Sequence, residues 1–192
     1  CSNLISSPVC GPNVTNIRCT YSNCFNLIGS PVCGDNVKRM ICTYYRCSNL
    51  TGSPVCGNNV INMTNAYYNC TNLTGIPVCG PNVTNLTSTY ERCANLKKAA
   101  CGDSVIDMIS SYRNCPSLTT AVCGNNVNNM LETYANCISL TTAACGNNVE
   151  TMYMTYYNCQ ALTKAACGPK VQHMDNTYSL CQSLISAACG DS

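Results

Sequence analysis

Cysteine brings the most potential chemistry to this sequence, because 20 of its 192 residues are cysteines and thiols can bind metals, form disulfides or act as nucleophiles. Most of them fall into two series with a spacing of 23 residues that later becomes 22. The first cysteine column consists of Cys1, Cys24, Cys47, Cys70, Cys93, Cys115, Cys137, Cys159 and Cys181. The second cysteine column consists of Cys10, Cys33, Cys56, Cys79, Cys101, Cys123, Cys145, Cys167 and Cys189.

Three roles are open for these two columns: small buried hydrophobic residues stacked coil on coil, disulfides within or between coils, or metal ligands. The sequence contains no Cys-x-x-Cys pair. An in-register stack also points successive sulfurs the same way, whereas a disulfide needs a dihedral angle near ±90°. We therefore expect Cys70 and Cys79 to be buried and most of the cysteines to remain thiols.

Cys19 and Cys42 stand outside both columns. They share a position with Asn65, Ser88 and Glu132 in other coils, and these polar residues are typical of an exposed site. Two exposed cysteines on adjacent coils make Cys19 and Cys42 the best candidates for a disulfide.

Residues for acid–base catalysis are few. His173 is the only histidine and takes the position held elsewhere by Asn62, Asn85 and Asn129, so we interpret it as a solvated surface residue. The acidic residues share no repeat position that would give a catalytic pair. They are Asp35, Glu91, Asp103, Asp107, Glu132, Glu150, Asp175 and Asp191. The sequence therefore predicts a protein that is not an enzyme and that has no cofactor and no metal.

Composition limits the possible partners. Only 9% of the residues are charged and the net charge is +2, with Lys38-Arg39 and Lys97-Lys98 as the only basic pairs. Nucleic-acid binding is disfavoured because it needs a basic stripe along the phosphate backbone. Insertion into a membrane is also disfavoured, since no apolar run approaches the roughly 20 residues of a spanning helix.

The elements that position these residues follow from the repeat. Val60, Met63, Tyr67, Cys70 and Leu73 are offset by 3, 4, 3 and 3 residues, which predicts one face of a short helical or 3₁₀ segment. Asn residues just before the Val are suited to cap that helix. The tract from the Leu to the next Cys-Gly has the length of a short β-strand, and the Gly is suited to turn the chain.

The period changes from 23 to 22 inside the predicted strand, because Leu73 to Cys79 spans six positions while Leu96 to Cys101 spans five. The proline column, Pro8, Pro31, Pro54 and Pro77, ends at the same place. Proline has no N–H to donate, so these positions weaken a strand ladder. The runner-up fold is an all-helical stack in which tracts such as 140–144 continue the helix.

The unit Cys-x-x-Leu-x-x-x-Pro-Val-Cys-Gly-x-x-Val-x-x-Met-x-x-x-Tyr-x-x-Cys-x-x-Leu resembles the BspA-like class of leucine-rich repeats, with Tyr in place of the usual Phe and a second Cys added. The resemblance implies an α/β solenoid, a right-handed coil with parallel β legs on one side and short helical segments on the other. It also implies a surface or secreted protein, bacterial or phage-associated, and often an adhesin. We expect residues 1–192 to form a single repeat domain of about eight to nine coils, a fragment of a longer array.

Two residue sets are candidates for a binding surface, with simple strand propensity or packing as the alternative for each. A threonine column follows the core Leu at Thr51, Thr74, Thr119, Thr141 and Thr163. Tyrosines outside the core column occur at Tyr45, Tyr68, Tyr153 and Tyr157. The predicted function is an extracellular scaffold that binds a protein or glycan on one repeat face. The alternative is a stalk or filament subunit that self-associates end to end through uncapped coils.

Overall fold

The computed structural model describes residues 1, 3–6, 10–31 and 33–189, with Cys189 described by its backbone alone. Pro8 and Asp191, named above, lie outside these residues. Successive copies of the repeat stack on one another, and their inward side chains form one hydrophobic cluster. Within the described residues no helix is long and apolar enough to cross a membrane.

A parallel β-sheet is present, as the sequence predicted, but its regular strands lie only in the second half of the described residues. Its strands are β1 Thr120–Val122, β2 Thr142–Ala144, β3 Lys164–Cys167 and β4 Ser186–Cys189. They lie in chain order with no register shift, so that Ala121 pairs with Ala143, Ala143 with Ala165 and Ala165 with Ala187. The all-helical stack is therefore excluded.

In the described part of the first half, the corresponding tracts form isolated bridges instead of strands, such as Val55 with Val78. Two features of its longer tract explain the difference. Gly29 and Gly52 take left-handed φ values of 83° and 80°, which turn the chain away from the extended conformation. Pro31 and Pro54 also remove a ladder donor from their coils. Regular strands thus begin only where the proline column has ended.

The segment from Val to Leu is not helical, which corrects the prediction of helical or 3₁₀ segments on this side of the coil. It is a series of β-turns. The Ala66 N–H donates to Met63 O at 2.8 Å and the Cys70 N–H to Tyr67 O at 3.1 Å. Asn65 and Asn69, the third residues of these turns, have φ values of 55° and 56°, as a type II turn requires.

Hydrogen bonds between coils explain why the turns replace a helix. In an α-helix nearly every N–H bonds within its own segment. Here alternate N–H groups point to the next coil instead: Met63 N–H donates to Asn85 O at 3.0 Å, and Tyr67 N–H to Thr89 O at 2.9 Å. The N–H groups that would form hydrogen bonds within a helix therefore donate to the neighbouring coil instead.

The predicted helix caps have another role. In several coils the Asn side chain before the Val donates to a backbone carbonyl of the preceding coil, as Asn59 does to Asp35 O at 2.8 Å and Asn126 to Asp103 O at 2.8 Å. The Gly of several Cys-Gly pairs also lies close to the neighbouring coil. A Cβ at Gly124 would lie 2.7 Å from Gly102 O, so glycine here permits close approach of two backbones.

The core consists of the predicted columns. Val60, Met63, Cys70 and Leu73 are fully buried, and so are their counterparts in the central coils. Tyr rings of neighbouring coils stack face to face with centroids 5.1–5.7 Å apart, which confirms that this column points inward. The stacked tyrosines are Tyr21, Tyr44, Tyr67, Tyr90, Tyr112, Tyr134, Tyr156 and Tyr178.

Candidate binding face and cysteine columns

The first cysteine column lies in the core, where its thiols both pack and form hydrogen bonds. Each thiol from Cys47 onward donates to the Tyr carbonyl of the preceding coil at 3.0–3.2 Å, as in Cys137 to Tyr112 O. Burial raises the pKa of these thiols, that of Cys47 to about 11. The donors are Cys47, Cys70, Cys93, Cys115, Cys137, Cys159 and Cys181. These residues are neutral hydrogen-bond donors, unsuited to nucleophilic attack.

The second cysteine column is half-buried over most of its length, and Cys56 is its most buried member. The prediction that Cys70 and Cys79 are buried is therefore confirmed for Cys70 and wrong for Cys79, which is half-buried. Sulfurs in this column accept hydrogen bonds from the Gly of the next coil: Gly80 N–H donates to Cys56 Sγ at 2.9 Å and Gly168 N–H to Cys145 Sγ at 2.8 Å. The glycine after each cysteine lets the sulfur approach the next backbone.

Cys19 and Cys42 lie next to each other on adjacent coils, both in the left-handed region with φ values of 55° and 54°. They are free thiols in the structure. Burial, followed by the proximity of Cys19 and a hydrogen bond with it, raises the pKa of Cys42. The two thiols are neighbours on adjacent coils, and their disulfide stays a prediction for oxidising conditions.

Threonines of the predicted column occur on the outer surface beside the sheet. Thr119, Thr141 and Thr163 each donate a side-chain hydroxyl at 3.1 Å to the backbone carbonyl at the same position of the preceding coil. Thr51 and Thr74 are exposed as well. The hydroxyl hydrogens are thus committed to the solenoid, and the oxygens remain available as acceptors.

The tyrosines outside the core column are not gathered into one site. Tyr45 and Tyr68 stack with centroids 4.8 Å apart, and the Arg46 guanidinium lies 6.0 Å from the Tyr45 ring. Both tyrosines are half-buried, which fits packing between coils. Tyr157 is half-buried in a later coil, and Tyr153 is 38% exposed.

The polar residues considered for catalysis remain apart. His173 is exposed and bridges through its backbone to Thr151. Glu132 pairs with Arg113 at 2.9 Å, an ordinary surface ion pair. In the part of the chain that the structure describes, no three His, Cys, Asp or Glu side chains are grouped as metal ligands would be.

Sequence reasoning missed a shallow apolar groove of about 520 Å³ on the outer face of the sheet. Ala121 and Ala165 point into the core, whereas Val122, Ala144 and Ala166 point outward between Thr142 and other polar neighbours. Val122 is 63% exposed. The tract Thr-Thr-Ala-Val-Cys predicts this outward apolar surface, because successive residues of a strand face opposite sides of the sheet.

Two solved structures are similar to this chain. A leucine-rich-repeat protein of T. pallidum shares 18% identity, with 71% of this chain and 68% of that chain covered and a TM-score of 0.63. A leucine-rich-repeat protein from Bacteroides ovatus ATCC 8483 shares 13% identity, with 96% and 69% covered and a TM-score of 0.53. No family model matches the sequence, and no curated protein matches it. The stacked coils, the parallel sheet and these structural likenesses together show that the chain has the leucine-rich-repeat fold.

Proposed function

We propose that this chain is a non-enzymatic scaffold that binds a protein or glycan on the outer face of its parallel sheet. The observation that carries the proposal is the groove, where Val122, Ala144 and Ala166 give a flat apolar floor. Thr142 and Lys164 add hydrogen-bonding groups beside it. Small apolar side chains flanked by a few polar groups suit a ligand that presents a sugar ring or a peptide edge.

The geometry of the sheet favours the groove over the tyrosines as the binding surface. The four strands are in parallel register, so they offer equivalent positions, mostly small apolar side chains in the row from Val122 to Ala188, at a repeat close to the strand spacing of about 4.8 Å. A repeating ligand can engage several equivalent positions at once, and weak contacts then combine. The resemblance to BspA-like repeats supports a cell-surface or secreted location for this activity.

A panel of immobilised glycans and purified extracellular-matrix glycoproteins tests the proposal. We expect binding by the wild type and at least a tenfold weaker binding by Ala144→Glu, because an added charge would fill the groove. Gln160→Glu is the matched control, since Gln160 is exposed and lies outside the groove. Failure of the wild type to bind any panel member, or equal weakening by Gln160→Glu, would count against the proposal. Sedimentation of the same samples separates the two function classes, because polymers would favour the filament alternative.

A further inference from the structure

The legs of the solenoid, the tracts from each core Leu to the next Cys-Gly, carry a charge that the rest of the chain does not. They hold three of the ten basic residues and none of the eight acidic ones, so the remaining chain has a net charge of −1. Lys97, Lys98 and Lys164 are exposed, and none of them forms an ion pair within the described residues. Asp103 lies two residues beyond the leg that holds Lys97 and Lys98. The legs therefore present positive charge with no carboxylate of their own.

Two of these lysines belong to one row across the sheet. Lys98 forms a parallel bridge with Thr120. Thr120 pairs with Thr142, and Thr142 pairs with Lys164. Each step is one coil, so Lys98 and Lys164 are three coils apart, about 14 Å at the usual strand spacing. All four side chains are exposed, and the row thus offers an ammonium group at each end with two hydroxyls between them.

The apolar floor of the groove lies beside this row. Val122, Ala144 and Ala166 each follow a member of the row by two residues, so they face the same side of the sheet. Thr142 and Lys164 themselves line the groove. A ligand in the groove would therefore contact methyl groups along one edge and hydroxyl and ammonium groups along the other.

The spacing of the row favours a polysaccharide over an extended peptide. Equivalent positions recur about every 4.8 Å along the solenoid, whereas the side chains on one face of an extended peptide recur about every 6.8 Å. A peptide that runs along the solenoid would therefore fall out of step with the coils. A pyranose unit of a linear chain is close in length to one coil. It can place C–H groups on the methyl floor and donate its hydroxyls to the threonine oxygens.

We propose that the ligand of this groove is a linear acidic polysaccharide, a chain of uronic acid units whose carboxylates bind Lys98 and Lys164. The inference rests on the proposed function, because it names the ligand class of the same groove. An ammonium group is a compact charge with rotatable donors, which suits carboxylates on a flexible chain. Duplex DNA carries one charge per roughly 1.7 Å, which three lysines cannot match, whereas a uronic acid chain carries only one per sugar.

Calorimetric titration with a β-1,4-linked glucuronic acid oligomer, and with its uncharged methyl ester, tests the ligand class. We expect the wild type to bind the acid more tightly than the ester. This difference should shrink as salt is added, because the lysines are exposed and salt screens their charge.

The double variant Lys98→Gln/Lys164→Gln should weaken binding of the acid about tenfold and leave binding of the ester unchanged. Each exposed ion pair contributes roughly two- to fivefold, and sites this far apart act independently. Lys38→Gln/Lys170→Gln is the matched control, since it removes the same charge from exposed lysines outside the legs. The control should bind both forms as the wild type does.

Equal binding of the acid and the ester by the wild type would overturn the acidic ligand while leaving binding in the groove intact. An equal loss in the control double variant would do the same. Binding of poly-glutamate as tight as that of the glycan would assign the groove to acidic peptides instead. Binding of neither sugar form would also overturn this inference, whereas the panel of glycans and glycoproteins tests the proposed function separately. Ester binding that Ala144→Glu does not weaken would overturn both.

Discussion

At the scale of residues, repeated positions do not all make the same contacts, and the tyrosine stack shows this most clearly. The Tyr112 hydroxyl donates to Ala100 O at 2.6 Å and accepts from Ala100 N–H at 3.2 Å. The Tyr134 hydroxyl, two-thirds of the way along the same column, is buried with no hydrogen-bond partner among the described residues. An unpaired buried hydroxyl costs about 1–3 kcal/mol, whereas a paired one stabilises the fold modestly.

Phenylalanine substitutions at these two tyrosines should therefore have opposite effects. Tyr112→Phe should lower the free energy of unfolding by about 1–2 kcal/mol, because two backbone groups of Ala100 lose a partner. Tyr134→Phe should leave it unchanged or raise it by up to about 1 kcal/mol. Urea unfolding under reducing conditions measures both, and a similar loss for the two variants would show that the hydroxyl contacts do not matter.

At the scale of elements, the turns on one side of each coil depend on residues with a left-handed backbone. Two such positions recur in every coil, and asparagine occupies many of them, including Asn114, Asn136 and Asn158. Asparagine tolerates this conformation better than most residues because its short side chain bonds locally. The three also form a ladder, in which Asn136 donates to Asn114 at 2.9 Å and Asn158 donates to Asn136 at 3.0 Å.

Substitutions at Asn136 should reveal the backbone strain. Asn136→Gly and Asn136→Ala both remove the side-chain ladder, but only alanine retains a Cβ at a φ of 63°. We expect the glycine variant to be the more stable by about 1 kcal/mol, the reverse of the usual order in regular structure. Thermal unfolding of the pair measures the difference. An alanine variant at least as stable as glycine would mean that this φ is relaxed when the side chain is removed.

At the scale of the whole molecule, stacked coils place many thiols and phenols in one water-free core. Burial raises the pKa of Cys47 to about 11 and raises the pKa of Cys70, Tyr67 and Tyr90 well above their ordinary values. The folded chain thus holds these protons more tightly than the unfolded chain does. The stability they provide is complete below the unfolded thiol pKa of about 8.5 and is lost as the pH rises toward the folded value.

Alkaline pH should therefore unfold the protein cooperatively. Stability should be nearly constant from about pH 6 to pH 8 and should then fall by about 1.4 kcal/mol per pH unit for each buried thiol that titrates only on unfolding. Urea midpoints measured in reducing buffer from pH 6 to about pH 10.5 test this. Cys47→Ala should show a shallower fall, and a midpoint unchanged between pH 8 and about pH 10.5 would contradict the argument.

The sequence by itself determined the period, the stacking and the core, because a Val, Met, Tyr, Cys or Leu at the same position of every coil can be buried only by its neighbours. The sequence also predicted an extended leg between each core Leu and the next Cys-Gly, but it did not predict that regular strands would form only after Pro77, where the tract is shorter and free of proline. Only the tertiary structure decided that the segment from Val60 to Leu73 is a series of turns. Offsets of 3 and 4 residues give one inward face in either conformation, so the pattern cannot separate them. The turns form instead of a helix because N–H groups such as that of Met63 donate to the next coil. Likewise, only the packing of Gly124 against the coil before it brought the Gly124 N–H within 2.8 Å of Cys101 Sγ, because spacing fixes which residues align but not where their sulfurs point.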